Sequence, residues 1–298
     1  MFISKNAKKY LISFKDYNIK PKKYINQKLK KQNLLQEIKA LTKRLYIQVY
    51  RKPAILIVGI IQPLLWLILF SALFQNAPIN LITNNIKYGE FVSPGIIIFT
   101  AFTGSMNAGL PIIFDREFGF LNRLLISPLK NRNSLLFSSL ISVWTITIFQ
   151  IIIIIICNIF LLKNLSILLN IYSTISLTTL IIINIASISL CLSFILPGHI
   201  EFLGFILITN LPILFSSTAL APLSFMPYWL QILTCFNPLT YAIEILRFLY
   251  THTYINYNNK IIETIWITMN LSESILVLLI INIINLTLVK HILTYKYE

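Results

Sequence analysis

The stretch PIIFDREFGFLNRLLISPLKNRNS, Pro111–Ser134, decides how the rest of the chain is read. It lies between two long apolar runs and is the most charged segment after the N-terminal arm. It opens on Asp115-Arg116-Glu117 and then sets Phe118, Leu121, Leu124 and Leu125 at the spacing of one helical face. Gly119 interrupts that face. Ser127-Pro128 ends it, because a residue before proline is pushed out of the α region. The spacing predicts a short amphipathic helix just outside a membrane, on a chain with almost no other soluble mass. Such a helix is a contact surface for a soluble partner.

Composition supplies the membrane. The chain is 56% hydrophobic and only 12% charged, with a mean hydropathy of +0.76, where a soluble domain carries about a quarter charged residues. Apolar runs of about twenty residues, the span of a bilayer core, recur along it. The fold class is therefore an all-α, polytopic membrane protein. Spans are expected at about 54–74, 91–114, 135–162, 171–196, 200–220 and 274–293.

The net charge of +15 does not point to nucleic acid. Of the 25 Lys and Arg, 15 precede Pro53, in a strip with no stacking pairs or reading motifs. That is the basic flank of a first span, and it divides the chain into an arm (1–53) and a transmembrane domain (54–298). Within the arm, Leu34, Ile38, Leu41, Leu45 and Val49 recur at steps of three and four, with Lys39, Lys43 and Arg44 off the stripe. This predicts a helix lying in the membrane interface or docked on the protein's own loops, the interfacial version being favoured. The N-terminus lacks the short apolar core of a secretory signal, so the first span is expected to stay as an anchor. Six spans put both termini on one side. That side carries roughly 21 Lys/Arg, against roughly four opposite (Lys87, Lys163, Arg247 and Lys260).

Several chemistries are not supported. Cys157, Cys191 and Cys235 have no metal-ligand or disulfide spacing, and His199, His252 and His291 fall at turns or loop ends, away from any haem position. No span carries an acid or base in its middle, which argues against an ion-coupled carrier. The polar residues within spans, such as Gln150, Asn158, Asn184 and Asn285, suit interhelical hydrogen bonding. Gly104–Gly109 has the glycine gap of a phosphate-binding loop, but Leu110-Pro111 stands where lysine and a hydroxyl are needed. A conduit without its own energy source, facing a soluble engine, fits this combination.

Ala221–Tyr250 is the second informative stretch. Its apolar pieces, Tyr228–Phe236 and Leu239–Tyr250, are too short to cross and are separated by Asn237-Pro238, a good helix cap followed by a good first helical residue. Glu244 and Arg247 are three apart and can pair.

Two motifs then carry a resemblance. Glu117-Phe-Gly119-Phe-Leu121-Asn-Arg123-Leu-Leu125-Ile-Ser127-Pro128 resembles the signature of ABC-2 type permeases, membrane subunits of one class of ATP-binding-cassette exporters. Pro222-Leu-Ser-Phe-Met-Pro227-Tyr-Trp-Leu230-Gln, then Asn237-Pro-Leu-Thr-Tyr241 and Arg247, is similar to the same family's segment before the last span. Arg51-Lys-Pro53 with Gln62-Pro63 also matches, and the Ile-, Asn- and Lys-rich composition is similar to that of family members encoded in algal plastid genomes.

The resemblance implies an interfacial helix, six spans, a coupling helix between spans 2 and 3 and a re-entrant helix pair before span 6. It implies a dimer or pair of half-transporters in the bilayer, driven by separate ABC ATPase subunits. ATP and Mg would be held in that partner and no cofactor in this chain. The coupling helix would be about Arg116–Ser127: Arg116, Glu117 and Arg123 meet the ATPase subunit, Phe118, Leu121 and Leu124 pack in its cleft, and Gly119 and Pro128 let the helix pass on a rigid push. Asn237 and Pro238 would break the re-entrant pair. The alternatives are an ATP-independent carrier and an assembly or anchor subunit of an organellar complex. The substrate is not legible in these residues.

Overall fold

The computed structural model describes residues 27–74, 88–121, 123, 133–162, 166–251, 259–263 and 268–297. It is helical almost throughout, because apolar runs with no water to bond must satisfy their backbone internally. The arm contributes α1 (Gln27–Arg51). Span 1 is α2 (Ala54–Leu73), continuous across Pro63. Span 2 is α3 (Tyr88–Met106), a 3₁₀ turn at Asn107–Gly109 and α4 (Leu110–Glu117). Span 3 is α5 (Asn133–Leu162). After a short α6 (Ser166–Leu169), span 4 is α7 (Ile171–Ile195). Then come α8 (His199–Phe215), α9 (Tyr228–Phe236), α10 (Pro238–Thr251) and, as the last span, α11 (Leu271–Tyr297).

Span 2 is the axis of the molecule. Of Tyr88–Glu117, 72% is buried inside the chain, against 11% of Leu56–Leu73 in α2. Its glycines and small residues admit α5 and α7 closely, and its central break is held by them. Ser189 of α7 donates to the Met106 carbonyl at 2.6 Å and accepts from the Gly109 amide at 2.9 Å. Ser139 of α5 donates to the Ala108 carbonyl at 3.1 Å. The irregular turn thus meets its backbone needs from neighbouring helices, as a break at membrane depth requires.

Among the described residues five helices are long and apolar enough to cross a bilayer, and the α9–α10 pair, bent by 90°, would make a sixth if taken as one span. Sequence placed span 5 at about 200–220, yet α8 stops at Phe215, and its 17 residues reach only about 25 Å at 1.5 Å per residue. The reason lies in tertiary bonds. Asn237 Nδ2 donates to the carbonyls of Ile213 and Ser216, each at 3.0 Å. Arg247 takes the Thr218 carbonyl at 2.7 Å and the Tyr88 hydroxyl takes that of Leu220 at 2.9 Å. These donors favour an irregular 216–222 segment over another helical turn.

A second departure from the all-helical expectation is a small antiparallel hairpin, β1 (Lys260–Glu263) with β2 (Thr268–Asn270), between α10 and α11. Ile262 seals it, being 2% exposed.

Candidate functional site

The charged end of span 2 forms a corner. Helix α4 closes at Glu117, Phe118 donates back to the Phe114 carbonyl at 2.9 Å, and Gly119 turns the chain with φ +69°. That left-handed geometry disfavours any residue with a Cβ, and glycine is the usual solution one step past a helix end. Phe120, Leu121 and Arg123 are helical beyond it. The boundary therefore differs from the single helix expected over about Arg116–Ser127. Arg116 and Glu117 complete span 2, and the break falls at Gly119. Leu124, Ser127 and Pro128 lie outside the described residues.

Three elements brace the corner. From α1, Arg44 pairs with Asp115 before the turn and lies 4.5 Å over the Phe120 ring after it, so one guanidinium holds both sides of Gly119. Helix α1 is itself seated on the chain, with Leu41, Thr42 and Leu45 buried and the Tyr46 hydroxyl 2.6 Å from that of Thr145 in α5. Lys39 and Lys43 are exposed. From the α7–α8 turn, the carbonyls of Leu196 and Pro197 accept from Arg116, the second at 2.7 Å. His199 donates its backbone N–H to Glu117 at 2.6 Å, and its ring meets the other carboxylate oxygen.

This sorts the residues singled out in the sequence. Arg116 and Glu117 are engaged within the chain, and Leu121 is buried in it. Phe118 is 79% exposed and Arg123 is exposed. Sequence reasoning missed Arg44 and His199 as parts of this site and gave Asp115, though in its opening charge cluster, no role. Arg44 and His199 are 71 and 84 residues, respectively, from Asp115, a separation no local pattern reveals.

At the other end of the bundle, Asn237 and Pro238 mark the bend between α9 and α10. Pro238 is the first residue of α10, and Asn237 Oδ1 accepts the Leu239 N–H at 3.0 Å while its Nδ2 holds the end of α8. Arg247 pairs with Glu244 and stacks 3.8 Å over Phe91 at the start of span 2. Between the two ends, polar side chains within the spans play mixed roles. Asn285 donates to Asn184 at 2.6 Å, joining α11 to α7, whereas Asn107 and Asn282 bond carbonyls of their own turn.

The sequence that builds this corner and the bent pair opposite it is matched by known proteins. The family description "ABC-2 type transporter" matches residues 36–250, from within α1 to the last turn of α10. The chain belongs to the ABC-2 type transporter family. Relatives of the permease are encoded in algal plastid genomes and carry the name transport permease ycf38. That of Porphyra purpurea is 48% identical over 272 residues, covering 91% of this chain and 93% of its own. That of Pyropia yezoensis is 51% identical over 267 residues, 89% of this chain and 91% of its own. That of Cyanophora paradoxa is 48% identical over 259 residues, 87% and 89% respectively. The permease is a multi-pass membrane transport component.

Proposed function

We propose that this permease forms, as a dimer, the substrate pathway of an ABC exporter in a plastid membrane, driven by separate ATPase subunits docked at the Gly119 corner. Both termini and the corner face the stromal, basic side. The observation that carries the reading is Phe118: a phenylalanine 79% exposed to the outside of the bundle, at a turn held rigidly by α1, α4 and the α7–α8 turn. An exposed aromatic on a preorganised support is the usual make-up of a binding anchor. Arg123, five residues on and exposed, offers a charge to the same partner.

Coupling needs a partner whose affinity for the corner differs between two states of the membrane dimer. The largely uncovered apolar faces of α2 and α11, 11% and 17% buried, suit lipid and a second copy. The test is reconstitution of the purified permease in vesicles, alone and with the ATPase that co-purifies with it. ATP-dependent transport only in the second case supports the reading; transport by the permease alone contradicts it and returns the ATP-independent carrier.

A further inference from the structure

The dipeptide Arg116-Glu117 is placed against two helix ends at once, and each charge has the sign its helix end favours. Helix α7 ends at Ile195, leaving carbonyls without helical donors at the negative end of its dipole. Arg116 supplies donors just past that end, to the carbonyls of Leu196, the cap residue, and Pro197 in the turn. Helix α8 begins at His199 behind Gly198, a cap position with no side chain to accept the free N–H groups. Glu117 supplies that acceptor from 82 residues away, with one carboxylate oxygen on the His199 N–H at 2.6 Å. Its second oxygen meets the His199 ring, which packs 5.3 Å from Phe114 one turn earlier in α4. Gly198 keeps the space open: a Cβ there would lie 3.0 Å from the Glu117 oxygen and 2.6 Å from that of Glu201.

We infer that Arg116 and Glu117 are positioning residues that clamp the end of span 2 to the ends of α7 and α8. The three helices then move as one body, and neither residue serves as a partner contact. A displacement of the exposed Phe118 is delivered through this clamp to both helices together. Its mechanical meaning rests on the reading under Proposed function, but the clamp itself is a property of the permease alone.

The first measurement is hydrogen–deuterium exchange of the full-length permease in lipid nanodiscs, without ATPase, read at the amides of His199–Phe202. Loss of a cap opens the first turn, so E117A is expected to exchange there about fivefold faster than wild type. E117Q keeps an oxygen for the His199 N–H and recovers most of the protection. The swap R116E/E117R conserves composition and net charge but puts each charge at the wrong helix end, and it loses the protection. Unchanged exchange in E117A overturns the clamp.

The second measurement adds the co-purifying ATPase and follows the ATP-driven change in reactivity of a cysteine at Ile208 in α8, which is 74% exposed. E117A is expected to bind the ATPase as wild type does while losing that change, with rescue by E117Q. Loss of ATPase binding in E117A with normal exchange makes Glu117 a partner contact and overturns the inference. If wild type itself binds no ATPase, the proposed function fails while the exchange result still decides the clamp.

Discussion

Gly119 shows how much hangs on one missing carbon atom. A Cβ built there meets nothing within 4 Å, so any cost of substitution comes from the backbone alone, at φ +69°. G119A is expected to destabilise the protein by about 1 kcal/mol, a fall of about 2–4 °C in the melting midpoint for a protein of this size. G119N should cost less, since asparagine tolerates the left-handed region. Equal midpoints for all three would mean the turn is not held in that conformation. Arg44 is the second sensitive residue. Asp115 is 12% exposed at its side chain, so R44A strands a largely buried carboxylate at a cost of about 2 kcal/mol. The double variant R44A/D115N is expected to be more stable than R44A. A double-mutant cycle in which the two changes simply add would show that the pair is not coupled.

At the scale of elements, the bend between α9 and α10 depends on an asparagine using both ends of its amide. Asn237 caps α10 with its oxygen and holds the carbonyls of Ile213 and Ser216 with its nitrogen. N237A is expected to cost about 1–2 kcal/mol. Aspartate caps as well as asparagine, so a purely capping role predicts that N237D is harmless. The tie to α8 predicts the reverse, because Asp offers no donor to those carbonyls. Thermal unfolding of N237A and N237D side by side decides between the two.

This double use also shows why some boundaries were legible in the sequence and others were not. Asn237-Pro238 announces a helix start locally, as do the apolar runs of α2, α5 and α7. The end of α8 at Phe215 is written in Asn237, Arg247 and Tyr88, far away in sequence, and the six residues that follow it hold no glycine or proline before Pro222. The hairpin at Lys260–Asn270 was missed for a related reason: its strands are four and three residues long, too short for a period to show. At the corner, the charges and Gly119 were visible. That Arg116 and Glu117 bond the turn between α7 and α8 was not, because it depends on which turn lies beside them in space.

For the whole molecule, the charge asymmetry along the sequence predicts one orientation, with the Arg123 corner on the basic side. The Arg123 corner and the hairpin at Lys260 lie at opposite ends of the bundle, joined through span 2, with Arg44 at one end and Arg247 stacked on Phe91 at the other. In sealed vesicles of a variant with the native cysteines replaced, a cysteine at Arg123 and one at Lys260 are expected to react with an impermeant thiol reagent from opposite sides. Labelling of both from one side would contradict the positive-inside assignment.

On the proposed function, an ATP-binding subunit works this membrane pathway by gripping the exposed aromatic at the corner. The most direct measurement is a photo-crosslinking residue at position 118, activated in native membranes, with the captured species identified by mass spectrometry. The account predicts crosslinks to a protein containing a nucleotide-binding domain, with a yield that changes when ATP is added. Crosslinks to lipid alone, from a permease that is folded and inserted, would contradict it.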